Sequence, residues 1–141
     1  MAAVAEVFDR YRRHYGEPVV AGQTLTWLSK QATAGALTVF AAHIGHDLAG
    51  IATTVALPAS LRLGCYWQLR DLYVVPEAQR CGVGRALVEA VRVAASAAGA
   101  IRLSVQTEPD NAAALQLYRT SGFAPVEGIQ ILALDLPPNG N

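Results

Sequence analysis

The chain has 141 residues, 52% of them hydrophobic and 16% charged, which is the make-up of one compact domain with its own core. Eleven basic residues balance eleven acidic ones and are scattered apart from Arg10, Arg12 and Arg13, so nothing here is built to hold nucleic acid. No apolar run has the length of a membrane span, and Cys65 and Cys81, with no C-x-x-C spacing and no secretory leader, point to a reducing cytoplasm.

Taken in order, Ala2 to Tyr15 carries Val4, Val7, Phe8, Tyr11 and Tyr15 at spacings of three and four, which predicts an amphipathic helix stopped by Gly16. Tyr11 and Tyr15 either pack into the core or, with an apolar body and a polar tip, line a substrate cleft. After Glu17-Pro18 a shorter helix is expected over Thr24 to Gln31, with Leu25, Trp27 and Leu28 as its apolar positions. Ala36 to His43 and Leu48 to Val55 read as two strands joined by a turn at His46-Asp47. His43 and His46 flank Gly45 in that turn and make a poor zinc pair, so no metal is expected. Pro58-Ala59-Ser60 is a loop, and Tyr66 to Val75 is a third, longer strand.

Gly84 to Ala98 predicts a helix with Leu87, Val88 and Val91 inward, ended by Gly99. Ile101 to Gln106 alternates as a short strand, which should run parallel to the third because a helix joins the two as a right-handed crossover. Asp110 is an N-cap candidate for a helix from Asn111 to Ser121, with Gly122 just past its end. Ile129 to Leu136 reads as a final strand, giving a single domain over residues 1–136 and a frayed tail over 137–141. The order is α-α-β-β-β-α-β-α-β.

The chemistry concentrates in Gln79-Arg80-Cys81-Gly82-Val83-Gly84-Arg85, between the apolar run Leu72-Tyr73-Val74-Val75 and the third helix. A helix start leaves backbone N–H groups without partners and carries partial positive charge. Glycines there let a phosphate approach the backbone, and Arg80 and Arg85 add full charges. A Walker loop is excluded by the spacing and the missing Lys-Ser/Thr, and a dinucleotide fingerprint by Leu87 and by Arg102-Leu103 where an acidic residue belongs.

Gln79-x-x-Gly82-x-Gly84 resembles the coenzyme-binding signature of the GNAT superfamily of acetyl-CoA-dependent N-acetyltransferases, Gln/Arg-x-x-Gly-x-Gly/Ala. About 30 residues on, Asn111-x-x-Ala114-x-x-Leu117-Tyr118-x-x-x-Gly122-Phe123 resembles the closing motif of the same superfamily. Phe8-x-x-Tyr11-Arg12-x-x-Tyr15-Gly16 and Asp71-Leu72-Tyr73-Val74 are loosely similar to the small histone, polyamine and amino-acid acetylating members. The resemblance implies a mixed, mainly antiparallel sheet whose central parallel strand pair splays at the acetyl-CoA site, flanked by four helices. In one respect the chain departs from the family pattern: the strand that usually opens the sheet is missing ahead of the first helix.

By resemblance, acetyl-CoA is the acyl donor, and the acceptor is a primary amine of a small molecule or peptide, attacked directly through a tetrahedral intermediate. The oxyanion would be held by a backbone N–H of Leu72, Tyr73 or Val74, and the diphosphate by Gln79, Arg80, Cys81, Gly82, Val83, Gly84 and Arg85. Cys81 contributes its backbone N–H, since no companion histidine would activate its thiol. Tyr118, a phenol of pKa about 10 against about 8.5 for a thiol, would protonate the departing thiolate. Asn111 either binds pantetheine or caps its helix. Asp71 either takes the amine proton, with Glu77 and water as rivals, or is an ordinary hydrogen-bonded strand residue. Tyr73 shares its face with Asp71 and joins Tyr11 and Tyr15 as a substrate-binding candidate. A non-catalytic acyl-CoA sensor is the alternative function, and a homodimer is a possible assembly.

Overall fold

The computed structural model describes residues 1–138, so the last three residues of the expected tail lie outside the described residues. Four helices, α1 (Ala2–His14), α2 (Gln23–Thr33), α3 (Val83–Ala97) and α4 (Ala112–Thr120), enclose four strands. These are β1 (Thr38–Ile44), β2 (Asp47–Ala59), β3 (Gly64–Val74) and β4 (Arg102–Val105), ordered β1-β2-β3-β4 in one sheet. The first three run antiparallel, and β3 and β4 are parallel as the crossover through α3 requires. The mixed, mainly antiparallel architecture with four helices is as expected, and helix α1 comes before any strand.

Alternation sorts the two faces of the sheet. A Cβ placed on Gly50 would meet side chains of Val83 and Leu87 as well as the Tyr73 carbonyl, so this face of β2 lies against α3 with almost no space to spare. The opposite face, carrying Ile51 and Thr53, is covered by α1. Leu28, Ile51, Leu69 and Val91 are buried to within 2% of complete, each stabilising the fold by about 1.5–3 kcal/mol.

Three expectations need correction. The second strand continues past Val55 to Ala59, through Pro58. β1 stops pairing at Thr54, so one edge of β2 is free beyond it and a residue without N–H is tolerated there. The cap of α4 is Asn111, whose Oδ1 accepts the Ala114 N–H at 3.2 Å, and not Asp110. Finally, Ile129 to Leu136 is not a strand: the segment is irregular and exposed, and residues 124–138 make no backbone hydrogen bond with the rest of the described chain. A strand exists only when a neighbour pairs with it, and here none does. As a result the parallel pair lies at the end of the sheet.

Candidate active site

The site begins with an extra residue in β3. Pairing with β2 passes from Asp71 opposite Thr53 to Leu69 opposite Thr54, leaving Arg70 as a bulge. On the other side, pairing with β4 stops at Leu69 opposite Val105, while β3 runs on to Val74. The two strands therefore diverge just where the bulge turns β3. Val75 N–H donates to the Ala49 carbonyl at 2.9 Å, so by alternation the amides of Tyr73 and Asp71 also face β2. Those of Leu72 and Val74 face the opening cleft.

That cleft holds about 120 Å³ between Leu69 and Leu72 of β3, Val105, and α4. Tyr118 of α4 lines it and is only 8% exposed, its ring packed edge-on against Phe123 at 5.6 Å. Burial pushes the Tyr118 phenol up to about 12, with the Tyr15 and Glu108 side chains adding to the effect. It is a proton donor at any ordinary pH. Asn111 also borders the cleft; its carbonyl accepts the helix-cap bond, and its NH₂ has two further donors for a ligand.

A larger cavity of about 460 Å³ opens between α1, α2 and β3. Tyr11, Tyr15 and Trp27 give it aromatic walls, Glu17 and Asp71 negative charge, and Arg12 and Arg70 positive charge. Tyr15, Arg70 and Asp71 border both spaces, so the two cavities meet at the bulge.

Asp71 is held at that junction from two sides. Its Oδ1 accepts from the Tyr11 hydroxyl at 3.1 Å, and its Oδ2 from the hydroxyl of Thr53, which is fully buried. Burial first, and then the Asp71 charge, push the Tyr11 phenol upward, so this donor stays protonated. Burial likewise raises Tyr15. Tyr73 shares the face of Asp71 but stacks on the Tyr11 ring at 5.6 Å and lines neither cavity. It supports Tyr11 from behind.

The glycine loop approaches from the other face of the sheet. Arg80 (φ 64°) and Gly82 (φ 79°) are left-handed, and Gly82 caps α3 without any side-chain hydrogen bond. The first intrahelical bond runs from Ala86 N–H to the Gly82 carbonyl at 3.0 Å, leaving the amides of Val83, Gly84 and Arg85 to point outward. The two glycines serve different needs. A Cβ at Gly82 would meet no atom of the described residues within 4 Å, whereas at Gly84 it would lie 3.2 Å from Leu117 and 3.8 Å from Val74. Gly82 provides the turn, and Gly84 lets α4 and β3 close on α3.

Around this loop the charges are partly engaged. Arg85 donates to Thr120 Oγ1 at 3.1 Å, tying α3 to α4, while Gln79, Arg80 and Cys81 are exposed. The Cys81 thiol donates to the Gln79 carbonyl at 3.6 Å. Glu77 accepts a two-pronged bond from Arg10, 2.8 Å on each oxygen, which holds its carboxyl down at about 2. So weak a base, facing solvent, is badly placed to take a proton from an amine.

The sequence reading did not pick out Thr53, Arg70, Trp27 or Glu108 as site residues. Thr53 reads as an ordinary strand residue until Asp71 is seen beside it, and Arg70 as an outward charge until the bulge aims it. Trp27 was placed on the apolar face of its helix, and nothing local shows that this face looks into a cavity. Glu108 follows β4 in a loop with no motif.

Comparison with known proteins bears on this geometry. A family model described as the acetyltransferase (GNAT) family matches residues 3–123. The uncharacterized N-acetyltransferase YhfO of Bacillus subtilis strain 168 is 27% identical over 136 residues, covering 96% of this chain and 91% of that protein. A mycothiol acetyltransferase of Jonesia denitrificans is 47% identical over 60 residues, 43% of this chain and 19% of that one. Among solved structures, that of a probable acetyltransferase superposes with a TM-score of 0.89 at 26% identity, covering 96% of this chain and 91% of the other. No helix of the described residues is long and apolar enough to cross a membrane.

Proposed function

The chain belongs to the acetyltransferase (GNAT) family, and on that premise we propose that it transfers acetyl from acetyl-CoA to a primary amine of a small molecule. The observation that carries the reading is the meeting of two cavities at Asp71, one flanked by an acid, the other shaped for an amine.

Acetyl-CoA supplies an acyl group already activated as a thioester. The diphosphate is a fit for the outward amides of Val83, Gly84 and Arg85, with Gln79, Arg80 and the Cys81 amide on the same loop. The narrow cleft between β3 and β4 suits an extended chain, with Leu72 on its wall and the Val74 amide turned to the same side of β3 beyond it. Either amide can donate to charge developing on the acyl oxygen, a contribution of about 3–4 kcal/mol. Tyr118 holds a proton for the departing sulfur.

The acceptor enters through the larger cavity. Aromatic faces of Tyr11, Tyr15 and Trp27 attract an ammonium group, and Asp71 fixes it at the junction. Asp71 then draws off a proton, directly or through water, so that the neutral amine attacks. About 460 Å³ is the scale of a small-molecule pocket and favours that acceptor class over a long peptide.

Calorimetric titration with acetyl-CoA, followed by thiol release against a panel of small amines, tests the reading. Saturable binding with release that depends on the amine supports it. Binding without release across the panel replaces it with an acyl-CoA sensor, and no binding refutes both.

A further inference from the structure

The bulge in β3 changes what faces the larger cavity. In an unbroken strand neighbouring side chains point to opposite faces, so Arg70 and Asp71 would lie on opposite sides of the sheet. With Arg70 left over between the Leu69–Thr54 and Asp71–Thr53 pairs, both residues line the cavity between α1, α2 and β3, and both border the narrow cleft where the two spaces meet. Their Cα atoms are about 3.8 Å apart. A fixed positive charge therefore stands beside the carboxylate that receives the acceptor amine.

The two arginines of this cavity are differently employed. Arg12 Nη1 lies 4.0 Å from Asp9 and donates to Thr24 Oγ1 at 3.4 Å, so its charge is answered within the protein. Arg70 donates from Nη1 to Gln68 Oε1 at 3.3 Å, a neutral partner, and forms an ion pair with no carboxylate of the described residues. Most of its N–H donors remain, in a planar fork that matches a carboxylate. A simple monoamine leaves that charge unanswered. An acceptor with ammonium and carboxylate on one carbon satisfies Asp71 and Arg70 together. The same cavity offers Phe8, Trp27 and Leu37 as apolar wall for whatever else that carbon carries, and the exposed Glu17 repels an acidic group there.

We infer that the acceptor is a free α-amino acid with a bulky apolar side chain, its carboxylate held by Arg70. The inference rests on the acetyl transfer proposed above and names the substrate of that site. The amine nitrogen bonds to the acetyl carbon and the carbon–sulfur bond breaks; the amine proton leaves to Asp71, and sulfur takes the proton of Tyr118. The products are an N-acetyl amino acid and free CoA.

Initial rates at saturating acetyl-CoA are compared for L-phenylalanine, phenethylamine, L-phenylalaninamide and L-glutamate, with the parent chain, Arg70→Gln and Arg70→Lys. In the parent, kcat/KM for phenylalanine should exceed that for the amine and the amide at least about tenfold. Arg70→Gln should raise the KM for phenylalanine about 10–100-fold more than that for phenethylamine, with kcat changed less, and Arg70→Lys should restore part of the difference. Arg70 is exposed, and a melting curve checks that the fold is kept. Equal use of phenylalanine, its amine and its amide overturns the inference and leaves the transferase standing, as does a preference for glutamate or an equal loss on all acceptors in Arg70→Gln. Calorimetry of L-phenylalanine on the CoA-saturated protein needs no turnover. Binding that weakens at least about tenfold in Arg70→Gln supports the amino-acid site even where no amine is acetylated, an outcome that sinks only the transfer reading. Neither binding nor turnover overturns both.

Discussion

Replacing Tyr118 by Phe removes one oxygen and nothing else of consequence. The ring is 8% exposed and keeps its packing against Phe123, and no hydrogen bond among the described residues is lost, so stability should stay within about 0.5 kcal/mol. Truncation to Ala would instead cost about 3–5 kcal/mol and confuse folding with catalysis. Tyr118 lines the cleft with Leu72 and Asp71, and burial holds its phenol protonated up to about 12. If it supplies the proton to the leaving thiolate, its loss should lower kcat by about 10²–10⁴, or roughly 3–5 kcal/mol of barrier. The Km for acetyl-CoA should change little, since the diphosphate is held elsewhere. Thiol release at saturating amine, with a melting curve on the same sample, gives both numbers. A kcat within threefold of the parent, at unchanged stability, would refute the assignment of Tyr118 as the acid.

Other substitutions probe the frame. Thr53→Val takes one of two donors from Asp71 and should cost about 1.5–3 kcal/mol of stability together with a fall in kcat, read by urea unfolding and initial rates. Gly50→Ala would put a Cβ 2.9 Å from the Tyr73 carbonyl and from Val83, so the melting temperature should drop by roughly 3–10 °C. Glu77→Gln breaks an exposed pair and should leave kcat unchanged, whereas a large loss would return Glu77 to the list of bases. Tyr118 and Tyr11 both have folded pKa values raised above their unfolded value near 10, so the stabilisation of their neutral forms is fully present below pH 10 and is lost as pH rises, through about 12 for Tyr118 and still higher for Tyr11. Urea midpoints should fall over that window, less steeply in Tyr118→Phe.

Much of the fold is visible in the chain because its signals are local. The three- and four-residue spacing in α1, the alternation of Ile101, Leu103 and Val105, and the left-handed Gly45 and Gly99 each act over a few residues. Both motifs announce their elements in the same way, and the structure brings Leu72, Asp71, Asn111 and Tyr118 to one cleft. What the sequence concealed depends on partners distant along the chain. The bulge at Arg70 appears only when β3 is set against β2, and Thr53 matters only through Asp71. The strand pattern of residues 129–136 is plain in the sequence, but pairing requires a free edge within reach, and alternation says nothing about where that edge is.

The central claim is that acetyl passes directly from thioester to amine where the two cavities meet, with no covalent stop on the protein. Initial rates with acetyl-CoA and the best acceptor of the amine panel varied together test it most directly. Intersecting reciprocal plots, which require both substrates to be bound at once, are the result the geometry predicts. Parallel plots, with an acetylated enzyme trapped in the absence of amine, would contradict it and turn attention to a nucleophile such as Cys81.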